Sequence, residues 1–289
     1  MRFARFCARV RIPLCAAGVV LLIVGVIVGS WLAWLGFGLL VAGMTLYLRV
    51  GTVRCAPIEI AAPVTGRWIA ANSPASRVPS HGLHAYGQTY AIDLVHDPAD
   101  GSRPRFGWWP PARRPQDFPG FGAPVLAPAA GRVVRTHGRE RDHYSRTSPL
   151  GIAYLLFESI REVTGPSRML GNHVVLDLGG GVYALLAHLQ RHSIRVRTGD
   201  RVEPGQPLAV CGNSGNSTEP HVHFQLMDRP NVLIAAGLPV QFTGATMPIN
   251  GGALLTSRED SWAPDRRDEP AEGPLSDAAR TPGVVIPRN

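Results

Sequence analysis

From Ile12 to Leu48 the chain carries no charged side chain, and only Ser30 and Thr45 interrupt the run as plainly polar residues. As one helix the run would be about 55 Å long, well beyond a hydrocarbon core of roughly 30 Å. Two arrangements accommodate it: a hairpin of two short spans turning near Gly29-Ser30-Trp31, or one span followed by an interfacial segment. The hairpin is the expectation, with residues 1–50 a membrane anchor and residues 12–48 in the lipid bilayer. A cleaved signal peptide is disfavoured, because the apolar stretch greatly exceeds the usual h-region of about 7 to 15 residues.

Charge speaks to orientation. Arg2, Arg5, Arg9 and Arg11 precede the run, which by the positive-inside rule places the N-terminus in the cytoplasm. Arg49 and Arg54 follow it, so a two-span hairpin would return the rest of the chain to the cytoplasm, whereas one span would carry it across. All 29 basic residues are arginine and the formal net charge is +8. No nucleic-acid motif accompanies that charge and the arginines do not alternate with aromatics, so they read as solvated surface and no nucleic acid is expected as a partner.

Past the anchor, Gly212-Asn213-Ser214-Gly215-Asn216-Ser217-Thr218-Glu219-Pro220 is a turn-rich stretch that runs into His221-Val222-His223-Phe224-Gln225-Leu226. The pattern is a loop delivering a β-strand. Residues two apart on a strand share a face, so His221 and His223 stand side by side while Val222 points the other way. Alone, such a pair is as readily an ordinary polar strand face. Upstream, Val182 to Leu189 reads as a mostly buried strand carrying His188 near its end. Pro79-Ser80-His81-Gly82-Leu83-His84 and Tyr90-Ala91-Ile92-Asp93-Leu94 add two histidines and an aspartate. A catalytic zinc site needs three protein ligands and one open position, and the chain offers such a set.

Three blocks in this order, His…Tyr90-Ala91-Ile92-Asp93, Tyr183-Ala184-Leu185-Leu186-Ala187-His188-Leu189 and Gly212-Asn213-Ser214…Pro220-His221-Val222-His223-Phe224, resemble the lysostaphin-type zinc metallopeptidases, the β-lytic and glycyl-glycine endopeptidases that cut peptidoglycan cross-links. The resemblance covers roughly residues 60 to 245 and includes the turn Gly199 to Leu208. It implies a mainly β fold, an antiparallel β-sheet groove that is duplicated-hybrid-motif-like, with zinc at its floor. It also implies that a first-block histidine, Asp93 and His223 hold Zn2+, and that His188 and His221 stand by as catalytic groups without binding metal. His81 leads as the first ligand, because Val78-Pro79-Ser80-His81-Gly82 with Gln88, Tyr90, Ala91 and Asp93 resembles the long-spaced members; His84 is the alternative. The tightest members place that ligand at the position of Thr89, whose hydroxyl cannot replace imidazole.

The implied activity is hydrolysis of a peptide bond in a peptidoglycan stem peptide or cross-bridge, with the domain outside the plasma membrane of a bacterium. The competing reading is a catalytically inactive domain of the same fold that binds or regulates wall hydrolases. Gly199 to Gln206 also resembles turns of biotinyl and lipoyl carriers, but those need a lysine to modify and the chain has none. The absence of His-Glu-x-x-His sets aside the helical zinc-protease layout.

The peptidase domain is expected over 55–245, with insertions near 94–120, containing Trp108-Trp109-Pro110-Pro111, and near 136–171, containing a short amphipathic helix at about 151–162. His96, His137, His143 and His192 read as surface residues, and His173 as settling a turn. Residues 246–289 read as a disordered tail. Cys7, Cys15, Cys55 and Cys211 show no Cys-x-x-Cys spacing. Cys55 and Cys211 could pair in an oxidising compartment, but a buried free thiol is the expectation for each.

Overall fold

The computed structural model describes residues 2–53, 55–158 and 165–257. Two helices open the chain, α1 (Arg2–Ile27) and α2 (Leu32–Arg49). The break falls where the glycine allows it: Gly29 takes φ 61° and the Ser30 amide donates to the Gly25 carbonyl at 2.9 Å, closing the end of α1. The backbones of the two helices lie flush, since a β-carbon on Gly25 would overlap Ala33 and one on Gly36 would overlap Leu22. Outward, Val20, Ile23, Val26, Trp34 and Phe37 are exposed, as a lipid-facing surface requires. Both helices are long and apolar enough to cross a membrane, and they pack against each other as a helical hairpin.

The remainder is mainly β. In chain order the strands are β1 (Ile58–Ile60), β2 (Gly66–Asn72), β3 (Ile92–His96), β4 (Pro124–Leu126), β5 (Gly131–His137), β6 (Asn172–Asp177), β7 (Tyr183–Leu189), β8 (Arg201–Val202), β9 (Pro207–Val210), β10 (Val222–Met227), β11 (Gly237–Leu238), β12 (Val240–Phe242) and β13 (Ala253–Thr256). The main sheet runs β13-β2-β3-β10-β7-β6-β5-β8, with β11 also on β10, and its pairings are antiparallel. Two small sheets, parallel β1-β12 and antiparallel β4-β9, complete the domain.

Alternation decides which side of the main sheet is which. Trp68, Ile92, Leu94, Leu176, Leu186, Phe224 and Leu226 form one core with Ile60, Val125, Leu208, Val240 and Phe242 of the small sheets. Each such side chain contributes about 1.5–3 kcal/mol on burial. The intervening residues Asp93, Ala187, His223 and Gln225 face the other way, beside a smaller cluster of Leu170, Val175, Leu185, Met227 and Val232. The polar site therefore sits on the face of β3, β10 and β7 opposite the main core.

Several sequence expectations shift. Strand β13 extends the sheet past residue 245, held by its ladder to β2, by buried Leu254 and by the Thr256 hydroxyl donating to the Val64 carbonyl at 2.8 Å. Its burial alternates over only four residues, too short a pattern to read in advance. Residues 258–289 lie outside the described residues. The inserted helix, α3, spans Pro149–Glu158, starting earlier than expected because Ser148 caps the Gly151 amide at 3.0 Å and Pro149 opens the first turn; positions 159–164 lie outside the described residues. A second short helix, α4 (Pro166–Leu170), leads into β6. His173 lies buried in β6 rather than in a turn, and Cys55 is an exposed rather than buried free thiol.

Candidate metal centre

Strand pairing assembles the site. Asp93 on β3 is the register partner of His223 on β10, which is the partner of Ala187 on β7. His221 enters just before β10 and His81 comes from the loop before β3. The donor atoms of His81, Asp93 and His223 lie within 4.8 Å of one another. His84 stands apart from this group, its Nδ1 2.7 Å from the Thr52 hydroxyl and 3.2 Å from that of Thr89.

His188 arrives by a local departure from strand geometry. Strict alternation would put it on the core face with Leu186, but its φ of 61°, beside a register shift between β6 and β7, turns it onto the polar face. A left-handed non-glycine residue costs on the order of 1 kcal/mol or more, so its neighbours must hold it there. They do: Nδ1–H donates to the Ser214 carbonyl at 2.8 Å, and Ser214 Oγ accepts the Asn172 amide while donating to the Leu189 carbonyl.

Hydrogen-bond partners assign the tautomers. Gln225 donates through Nε2 to the Tyr86 carbonyl (2.9 Å), so its Oε1 must accept from His223 Nε2–H (2.9 Å), leaving the Nδ1 lone pair facing Asp93 Oδ1 at 2.8 Å. The Ser80 hydroxyl donates to the Gln88 carbonyl and accepts from His81 Nδ1–H at 3.0 Å, leaving the Nε2 lone pair facing Asp93 Oδ2 at 2.9 Å. Asn72 donates to the same Oδ2 at 2.7 Å. Two imidazole lone pairs are thus turned on a carboxylate, an arrangement that repels unless a positive charge lies among them. Among the described residues no arginine reaches Asp93, whose ion-pair partners are His81, His221 and His223. Two nitrogens and a carboxylate suit zinc, and each of the three side chains is already oriented by a second partner.

The two remaining histidines flank this point, the His188 ring lying 4.6 Å from that of His221 and 5.8 Å from that of His223, centre to centre. His221 Nδ1 is 2.8 Å from the Glu219 carbonyl and 3.0 Å from Ser217 Oγ, while its Nε2 is 3.6 Å from Asp93 Oδ1. Burial and the charges of His221 and His223 push His188 well below the ordinary histidine value. For His221 burial acts the same way but the Asp93 charge outweighs it, and its basicity rises. Burial would raise Asp93, yet positive charge beside it, on His81 and His221 when those rings are protonated, holds it well below the usual carboxylate range.

Both insertions brace the loop before β10. Arg103 grips the Glu219 carboxylate at 2.8 and 3.1 Å. Asp142 accepts the Asn213 amide at 2.8 Å, His143 reaches the Gly215 carbonyl at 2.9 Å, and the Arg146 amide bonds the Thr218 carbonyl. Sequence reasoning assigned no role to Asn72, Ser80, Ser214 or Gln225. Only Gln225 carried a signal, standing two residues beyond His223 on the same strand face.

Residues 160–234 match the model of Peptidase family M23, a span that includes His188, His221 and His223 and leaves His81 and Asp93 outside. The chain is 27% identical over 168 residues to peptidoglycan DD-endopeptidase ShyA of Vibrio cholerae, covering 58% of this chain and 35% of that one. It is 41% identical over 58 residues to glycyl-glycine endopeptidase ALE-1 of Staphylococcus capitis, covering 20% and 16%. It thus spans about a third or less of the length of these relatives. The catalytic domain of lysostaphin from Staphylococcus simulans matches at 20% identity and a TM-score of 0.32, over 60% of this chain and 88% of that one. The family match falls on the second and third of the sequence blocks, so residues 160–234 are similar to peptidase family M23 where His188, His221 and His223 lie.

Proposed function

We propose that the chain is a zinc-dependent metalloendopeptidase that cuts peptide bonds of peptidoglycan, in a stem peptide or cross-bridge, from an anchor in the bacterial plasma membrane with its domain outside. The observation that carries this is the convergence of His81, Asp93 and His223 with their lone pairs directed inward, beside two further imidazoles, His188 and His221, each anchored by Nδ1 to a backbone carbonyl. The endopeptidase names of the relatives point to the same substrate class, and the outward location is argued from where that polymer lies, against the positive-inside reading of the arginines that flank the hairpin.

Zinc at this position would supply Lewis acidity, lowering the pKa of a water toward about 7 and polarising the scissile carbonyl. The chain's own groups do the rest. Asp93 stays ionised, and Gln225 and Ser80 fix the tautomers of His223 and His81. His188 and His221, each anchored by Nδ1 to a carbonyl, stand beside the reacting centre, where one can take a proton and the other can hydrogen-bond a developing oxyanion.

The test is zinc content and hydrolysis of purified peptidoglycan by the full chain in detergent. Stoichiometric zinc with release of new amino groups supports the proposal. A protein that binds the polymer without cutting it, and holds no zinc, is the binding module instead.

A further inference from the structure

We propose that the membrane hairpin is a positioning element of the metal site, acting through Arg11, Tyr47 and Tyr86 on Gln225 and on the loop that carries His81. The proposal rests on the metal reading given above.

The first line of contact starts at Arg11 on α1, which is fully buried. Its guanidinium donates to the Val50 carbonyl at 3.3 Å, just past the end of α2, and to the Leu233 carbonyl of the domain at 2.6 Å. It also lies over two aromatic rings, Tyr47 of α2 at 5.0 Å and Tyr86 of the His81 loop at 5.5 Å. Those rings meet edge to face at 5.7 Å, with their hydroxyls 3.2 Å apart. Both helices of the anchor therefore grip Tyr86.

Tyr86 is no ordinary loop residue. Its φ of 62° is a left-handed conformation that a β-carbon disfavours, so it persists only while its surroundings impose it. That conformation aims its carbonyl at Gln225 Nε2, the contact that keeps the amide from flipping and presents Oε1 to His223. The fit is close, since a β-carbon on the next residue, Gly87, would lie 2.9 Å from that same Nε2. From anchor to ligand the series is Arg11 and Tyr47, Tyr86, Gln225, His223.

A second line enters the same loop from the junction after α2. The Gly51 carbonyl accepts from the buried Thr89 hydroxyl at 3.0 Å and from the Gly237 amide at 2.8 Å, and the Thr52 hydroxyl meets His84 Nδ1 at 2.7 Å. The junction sits so tightly that a β-carbon on Gly51 would overlap the His84 carbonyl. His84 and Thr89 lie between His81 and Asp93 in sequence, so the segment delivering two ligands is pressed between the anchor on one side and β10 and β11 on the other. The function of His84 in this arrangement is to receive the anchor.

The test is zinc affinity of the full-length protein in detergent micelles, stripped and titrated against a chromophoric chelator. Gln225→Met should weaken binding by roughly 10- to 100-fold, the usual effect of losing a ligand's orienting partner. Arg11→Met and Tyr47→Leu touch no ligand, yet each should weaken it by roughly 2- to 30-fold. Tyr47→Leu leaves no buried charge and reads the same line of contact should Arg11→Met fail to fold. Because the residues act in series, Arg11→Met combined with Gln225→Met should bind zinc no worse than Gln225→Met alone. Trp34→Leu, on the exposed side of α2, should match wild type. Wild-type affinity in both anchor variants, or independent losses that multiply in the double variant, overturns the coupling. A wild-type protein that takes up no zinc, or a His223→Ala variant that binds it as tightly as wild type, overturns the metal reading itself.

Discussion

The imidazoles of His188 and His221 stand 4.6 Å apart, centre to centre, and their surroundings drive their basicities in opposite directions. Burial dominates at His188, whereas the Asp93 carboxylate prevails at His221. Two like residues, their rings in contact, are thus pushed apart in basicity, His188 downward and His221 upward.

Ligands and helpers should separate by what their loss does to the metal. Asp93→Ala, His223→Ala and His81→Ala each remove one of three donors, so zinc content and peptidoglycan hydrolysis should fall together. His188→Ala and His221→Ala should keep stoichiometric zinc while slowing turnover by roughly two to four orders of magnitude. Metal analysis beside a turnover assay checks both, and five variants with intact zinc and activity would refute the site.

His84→Ala should retain stoichiometric zinc. Its ring reaches Thr52 and Thr89 rather than the donor cluster, so the loss should appear as a lower melting temperature, about 0.5–1.5 kcal/mol for a hydrogen bond. A zinc-free His84→Ala protein that is still folded would make His84 a ligand.

Arg103→Met should loosen the loop that presents His221. The guanidinium holds Glu219 by two bonds, and the Glu219 carbonyl in turn orients His221. A charge-assisted bond of this kind is worth about 1.5–3 kcal/mol. The expected outcome is a lower melting temperature with reduced kcat at unchanged zinc content; unchanged kcat would show that the insertion does not support catalysis.

Acid should destabilise the domain through His173, whose folded pKa is lowered to about 4, by burial first and then by the charges of His137 and Arg135 against its bond to the Gly171 carbonyl. The unfolded side chain takes up a proton near pH 6.5 and the folded one does not. Stability is therefore fully present above about pH 6.5 and is lost as pH falls toward 4, by up to roughly 3 kcal/mol. Urea midpoints across this range should flatten in His173→Gln. Parallel decline of wild type and variant would assign the loss to other groups.

If both helices span the bilayer, as proposed, the chain returns to the side from which it started. Tags before Met1 and after Asn289 should be reached from the same side, and on the proposed location that side is the exterior. A reporter after Asn289 active only in the cytoplasm would move the role away from the wall.

The sheet and the pairing of His221 with His223 were legible because they rest on short-range rules. A two-residue period places His221 beside His223, and glycine-punctuated apolar runs mark strands. His188 was legible only through family resemblance, since alternation alone buries it with Leu186; the left-handed turn that redirects it has no sequence mark. Gln225 and Ser80 were missed because their partners, Tyr86 and Gln88, are backbone carbonyls. Nothing in a sequence names the carbonyl an amide will find. Arg11 read as one of several flanking charges, and its burial comes from residues 39 and 222 positions away.

The junction between α2 and the domain contains no slack, because Gly51 and Thr52 are already paired with Gly237. A tethered head explores a volume set by its linker, each extended residue adding about 3.3–3.6 Å of reach. Here that volume collapses to a thin layer at one height above the lipid. On the proposed function, such an enzyme would not lean outward to find its bonds; it would travel in two dimensions, and the depth of polymer it could trim would be set by the dimensions of the domain itself.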